Sequence, residues 1–183
     1  GANLAQTIAI INLSKKYNAS FFSSSTLRFS KNTIEIRDGM HGKVIGADCY
    51  SPASNEPSHA DLYWYGIHGV ETLFTIMGKG CESVQATSTD GSDAAIGTWN
   101  DGRLGVFRGI RDGAQAFGGT VICEKKAIQA GDYEGYAKLL ENILQYFKTG
   151  IVPIDMDETQ EIYTFMEAVN ESKRQGGKPV KMD

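Results

Sequence analysis

Among the side chains that could do chemistry, the three histidines come first, because an imidazole is the one ordinary group that titrates near neutral pH and so can pass a proton. His68 stands in the richest surroundings: Asp61, Tyr63, Trp64 and Tyr65 precede it and Glu71 follows it. Together these offer a proton shuttle, carboxylates and aromatic walls, which suits acid–base work on a bound polar ligand. A histidine at a helix start can equally serve only to satisfy that helix terminus, and aromatic residues can equally pack beneath it. His41 and His59 fall in loops and read as solvated. Arg28, Arg108 and Arg111 could each hold a polar substrate, although arginines on an open sheet also serve solubility.

Other chemistries lack their spacing. There is no HxxxH, HxH or CxxC, and the step of three from His68 to Glu71 is too common to mark a ligand pair, so no metal is expected. No GxSxG is present, and Ser23-Ser24-Ser25 reads as strand or loop, not as a nucleophile. Gly39-Met40-His41-Gly42 neither follows an apolar strand nor opens a helix, so this chain is not expected to bind a dinucleotide by itself.

The elements that must position these residues follow from periodicity. Leu4, Ile8, Ile11 and Leu13 predict a helix from about residue 3 to 17, stopped at Asn18, followed by a β-compatible run over 19–25. Lys43 to Tyr50 predicts a strand closed by Ser51-Pro52, and 61–77 predicts a helix ending at Gly78 and Gly80, with His68 near its start. From Cys81 to Lys126 the period shortens. Four runs separated by Asp90-Gly91 and Asn100-Asp101-Gly102, dipeptides that tolerate positive φ, predict an antiparallel meander. Gly97, Gly105 and Gly109 within it point to bulges or close approaches. Tyr136, Leu139, Leu140, Ile143, Leu144 and Phe147 form an amphipathic stripe, and a last helix with Ile162, Phe165, Met166 and Val169 opens at a capping-box-like Asp157 and Gln160. The class expected is α+β, an open and mostly antiparallel sheet with helices packed on one face.

With 183 residues and a net charge of -4, the chain can bury one core and offers no basic patch for nucleic acid or an anionic membrane. Cys49, Cys81 and Cys123 are odd in number and lie in strand-like runs, which suits buried thiols in a reducing compartment. No apolar stretch is long enough to span a bilayer. The expected location is the cytoplasm, any targeting signal of a longer parent lying upstream.

The order of elements resembles the Gfo/Idh/MocA family of oxidoreductases over nearly the whole chain. Tyr65-Gly66-Ile67-His68-Gly69-Val70-Glu71 is similar to that family's DxGxHxxD segment, and Glu171-Ser172-Lys173-Arg174-Gln175-Gly176-Gly177 to its closing AxxSxxxG pattern. The resemblance implies that residues 1–30 are the terminal helix and strand of a nucleotide-binding Rossmann domain whose remainder is missing here. Residues 31–183 would then be the C-terminal substrate and oligomerisation domain, forming a homo-oligomer through the open sheet face. It further implies NAD or NADP in the full-length protein, a small carbohydrate-like substrate and His68 as acid/base; with Arg28 from the residue reading above, Asp61, Tyr63, Trp64 and Tyr65 are the expected substrate contacts. The sequence departs from the pattern at Trp64 and Glu71, where the family has Asp. An NAD-using glycosidase and a non-catalytic ligand-binding or assembly module on the same fold remain alternatives.

Overall fold

The computed structural model describes residues 3–182. The first helix, α1 (Leu4–Tyr17), starts where Asn3 accepts a hydrogen bond from the Gln6 amide at 2.9 Å and stops at Asn18, whose φ of 49° turns the chain left-handed. Only Thr7 and Ile11 of this helix are buried, on the side that meets the last helix. Residues 19–25 form no strand, contrary to expectation. No strand among the described residues pairs with them, and a β-compatible run stays irregular when its backbone groups have no ladder partner.

A 3-10 turn (Thr26–Phe29) leads into a short helix the sequence pattern did not flag, α2 (Lys31–Arg37). Strand β1 (Val44–Pro52) continues through Ser51 and Pro52, where a stop was expected. The predicted helix over 61–77 is divided into a 3-10 turn, Asp61–Tyr63, and helix α3 (Gly66–Met77), with Trp64 and Tyr65 between them. The meander then follows as β2 (Cys81–Thr89), β3 (Ser92–Trp99), β4 (Leu104–Ile110) and β5 (Gly118–Cys123), with a further short strand β6 (Ala127–Ala130). Helices α4 (Ala137–Thr149) and α5 (Met156–Arg174) and a two-residue strand β7 (Val180–Lys181) complete the chain. The cap of α5 is Asp155, which accepts from the Asp157 amide; the expected Asp157 and Gln160 box begins two residues further in.

The seven strands form one sheet in the order β6-β5-β1-β4-β3-β2-β7. All neighbours are antiparallel except β1 and β4, which run parallel with Asp48 beside Val106. Helices α3 and α5 cover one face. Val70, Leu73 and Phe74 from α3 and Phe165, Met166 and Val169 from α5 meet Ala95, Phe107 and Val121 from the strands, all of them fully out of water. Burying side chains of this size contributes roughly 1.5–3 kcal/mol each. Ile45, Ile96, Leu104 and Ile122 stay exposed. The class is the expected α+β one.

Close approaches explain the strand glycines. Gly97 and Gly105 face each other across β3 and β4, and a methyl on either would come within 2.8 or 2.7 Å of the buried Trp99 ring. On α3, a methyl at Gly69 would lie 2.8 Å from the Phe107 ring. That helix therefore rides close to the sheet at the residue after His68, which fixes the height of the imidazole above the strands. Helix α4 departs from expectation: it forms, but none of its residues is buried.

Candidate functional site

The N-terminal turn of α3 carries His68 as its third residue, and the irregular pair Trp64-Tyr65 delivers the Tyr65 ring beside it. The His68 imidazole meets the Tyr65 ring edge-on, at a centroid distance of 5.6 Å, and the Phe117 ring at 5.9 Å. Phe117 arrives from the loop between β4 and β5. These three rings form one side of a pocket of about 390 Å³ whose other walls are Ser24, Ser25, Thr26 and Leu27, then Tyr133, Tyr136 and Leu139. Thr26 Oγ1 donates to the Gly135 carbonyl, tying the serine wall to the tyrosine wall.

Burial pushes the His68 imidazole below its ordinary value, and the nearby Glu71 carboxylate opposes that push. That push favours the neutral form of the ring. Among the described residues neither ring nitrogen has a hydrogen-bond partner. An imidazole with a free nitrogen in an aromatic-walled pocket can accept a proton from a bound hydroxyl.

Glu71, one turn along the same helix, is committed elsewhere. Its carboxylate accepts from the Ser25 amide at 3.0 Å on both oxygens and from Arg28 Nε at 2.8 Å. Arg28 also bridges to Glu158 at 2.5 Å and donates to Thr75 at 2.8 Å. Glu71 thus holds the serine wall in place from behind, and its burial is made tolerable by the guanidinium.

The sequence-derived contacts are mostly not brought to this pocket. Arg28, expected at a substrate, is 2% exposed and locked in the ion pairs just described. Asp61 is paired with Lys173 at 2.6 Å. Tyr63 is buried, its hydroxyl donating to Glu167 at 2.9 Å, and Trp64 packs on His59 at the surface. None of these four lines the pocket; of the expected site residues, His68 and Tyr65 do. His41, read as solvated, is half-buried against Glu35 at 3.2 Å. Sequence reasoning missed Ser24 to Leu27, Phe117 and Tyr133. The signal available was an aromatic set in glycine-rich polar loops, Phe117 before Gly118 and Tyr133 before Gly135, where no core explains an aromatic.

Cys49, Cys81 and Cys123 are free and buried, and burial pushes the Cys49 thiol up to about 12. Among the described residues, no group of three or more His, Cys, Asp or Glu side chains is placed to hold a metal ion, and no helix is long and apolar enough to cross a membrane.

The open sheet is backed by α3 and α5, and the histidine pocket lies at the N-terminal end of α3. No family model and no curated relative matches the sequence. Solved structures do match. Myo-inositol 2-dehydrogenase from Lactobacillus plantarum superposes with a TM-score of 0.80 at 12% identity, over 100% of this chain and 71% of that one. Scyllo-inositol dehydrogenase from Lactobacillus casei, with bound NAD(H) and scyllo-inositol, gives 0.74 at 11% identity, over 98% and 70%. Aldose-aldose oxidoreductase from Caulobacter crescentus, complexed with glycerol, gives 0.74 at 16% identity, over 99% and 69%. These neighbours are inositol and sugar dehydrogenases of the Gfo/Idh/MocA type, and theirs is the fold of this chain.

Proposed function

We propose that this chain is the substrate-side portion of an NAD(P)-dependent oxidoreductase acting on a sugar or polyol hydroxyl, with His68 as its acid/base group. One observation carries the reading: a largely buried imidazole, favoured in its neutral form and without a hydrogen-bond partner among the described residues, stands in the wall of a pocket of about 390 Å³. The nicotinamide supplies hydride acceptance in one direction and donation in the other. In oxidation, the hydroxyl proton goes to the free nitrogen of His68 as the carbinol C–H bond is lost with its electron pair, and reduction returns that proton. Tyr65 and Phe117 exclude water from the imidazole, and Ser24, Ser25, Thr26, Tyr133 and Tyr136 offer hydroxyls to a polyol.

Residues 1–30 then act as the last helix and chain segment of the nucleotide-binding half, and 31–183 as the substrate and oligomerisation domain. Two features support this division. The irregular 19–25 segment has no ladder partner among the described residues, and the outer face of α1 exposes Ile10, Leu13 and Tyr17. The exposed Ile45, Ile96, Leu104 and Ile122 support homo-oligomer contact through the open sheet. Three buried free thiols suit the cytoplasm. The cofactor would be held by the other half and not by this chain.

The test uses the protein encoded by the longest reading frame that contains this chain. Scyllo-inositol and neutral hexoses are offered with NAD or NADP, and His68→Asn is compared with the parent. A loss in kcat of about 10²–10⁴-fold, without loss of polyol binding, is expected of a missing acid/base. The non-catalytic module is favoured by one feature, Trp64 at the place where the resemblance would put an Asp partner for His68. Polyol binding with no turnover in the parent protein would establish it.

A further inference from the structure

The pocket around His68 depends on two chain segments outside the regular helices and strands, the first of which sends Leu62 and Tyr63 into the core. One runs from Asp61 through the 3-10 turn to Tyr65. The other, 111–117, leaves β4 at Arg111 and delivers Phe117. Both segments begin at the same cluster of charges. Lys173 of α5 reaches Asp61 at 2.6 Å and Asp93 at 3.4 Å, while Arg111 pairs with Asp93 at 2.6 Å. The Asp93 side chain is 0% exposed, and both of its cationic partners are at most 16% exposed.

We infer that Asp93 is a positioning residue for the candidate site: through Lys173 and Asp61 on one side, and Arg111 on the other, it fixes the Tyr65 and Phe117 walls that flank His68. The inference rests on the reading of this pocket as the ligand site.

The chemistry of the cluster supports a hub and not an incidental surface pair. A carboxylate fully out of water is tolerated only with partners, and Asp93 has two, Arg111 at 2.6 Å and the more distant Lys173 at 3.4 Å. Against the upward push of burial, Arg111, Ser88 and Lys173 hold its carboxyl below the ordinary value. Asp61 occupies a left-handed φ of 40°, which Asp adopts more readily than most residues, and in that conformation its carboxylate meets Lys173 Nζ at 2.6 Å. Arg111 is fixed further by donating to the Asp90 carbonyl at 2.8 Å and the Thr89 carbonyl at 2.5 Å, while Gln115 donates back to the Arg111 carbonyl at 3.3 Å. The loop that ends in Phe117 is therefore anchored at its first residue and braced at its fifth. Cutting either arm should free one wall and leave the other in place.

The experiment uses the whole 183-residue chain. Arg111→Ala cuts the Phe117 arm, Lys173→Met cuts the Asp61 arm, and Asp93→Asn removes the charge at which the two arms meet while leaving the Lys173–Asp61 pair. Lys79→Met, which removes an exposed ion pair to Asp155, is the control. The readouts are proton contacts between the His68 ring and the Phe117 or Tyr65 ring by NMR, the titration of the His68 ring protons, and the affinity for scyllo-inositol. The titratable groups around His68 are Glu71 on its own helix, Tyr65 before it, and Tyr133 and Tyr136 across the pocket; none is altered by these substitutions.

Arg111→Ala is expected to lose the Phe117 contact and Lys173→Met the Tyr65 contact. Each should move the His68 titration upward toward an ordinary imidazole as water enters, and each should weaken scyllo-inositol binding about tenfold, with Lys79→Met unchanged. Folded single-arm variants that keep both ring contacts and the parental titration would overturn the inference, whatever becomes of Asp93→Asn. Displaced rings without any polyol affinity in the parent chain would uphold the positioning role and sink the ligand reading instead.

Discussion

Helices α4 and α5 are both amphipathic by sequence, yet their fates differ. The apolar stripe of α4, with Leu140, Leu144 and Phe147, is the more regular of the two, and Phe147 is 75% exposed. On α5, Ile162, Phe165, Met166 and Val169 are buried between α3 and the sheet. Periodicity declares that a helix has an apolar face, but what covers that face is decided by other elements of the chain. In α5 the cover is β2 and α3; α4 touches mainly the 3-10 turn Thr26–Phe29 and the irregular 19–25 segment, through Tyr146 on Phe22 and Ser20.

The sharpest way to break the contrast is truncation of one phenylalanine on each helix. Phe165→Ala should cost about 3–5 kcal/mol, because its ring fills the space between Phe74 and Gly97 and the rigid strands cannot collapse into the void. Phe147→Ala should stay within about 0.5 kcal/mol. Urea unfolding of the two variants measures both, and a comparable loss in each would mean that α4 has a cover in solution.

A second, smaller effect separates buried from exposed charge. Glu71→Gln keeps the shape of the side chain but takes the charge from its bonds to Ser25 and Arg28, leaving Glu158 as the sole anion on the guanidinium. About 1.5–3 kcal/mol should be lost, as expected for hydrogen bonds to a charged group. Lys79→Ala removes the pair to Asp155 at 2.5 Å, whose two side chains are 44% and 53% exposed, and solvent screening should hold its effect to about 0.2–1 kcal/mol. Equal losses would show that the interior around Arg28 is wetter than its burial implies.

The same contrast marks what could be read from sequence. Elements whose cover lies in this chain were legible: the β2, β3 and β4 hairpins from their Asp-Gly and Asn-Asp-Gly turns, and α3 and α5 from their apolar spacing. The 19–25 run was read as a strand because its side chains suit one, but strand formation needs a neighbour's backbone, which no local pattern reports. At the site, His68 and Tyr65 were legible because they share one short segment. Phe117, Tyr133 and the serine wall come from three distant segments and meet only through the fold. Arg28 shows the same limit: a lone arginine looks like a ligand arm in sequence, and the two carboxylates that engage it, at positions 71 and 158, come beside it only in the fold.

The smallest effect concerns His68 and needs its sign worked out. Burial lowers the folded-state value beneath the ordinary 6.5, so the unfolded chain binds this proton more readily than the folded one. Between those two values the unfolded state carries more protons, so stability rises with pH there and levels off above about 6.5. Lowering the pH through that window should therefore cost the parent chain stability that His68→Asn does not lose, and unfolding curves of the two should converge or cross as the pH falls. Carboxylates such as Asp93, held low by cationic partners, lose their contribution only at more acid pH, which keeps the two windows apart. A parent and variant with parallel pH dependence would mean that the imidazole is hydrated in solution, and with it that the Tyr65 and Phe117 walls do not close over the base as they do in this structure.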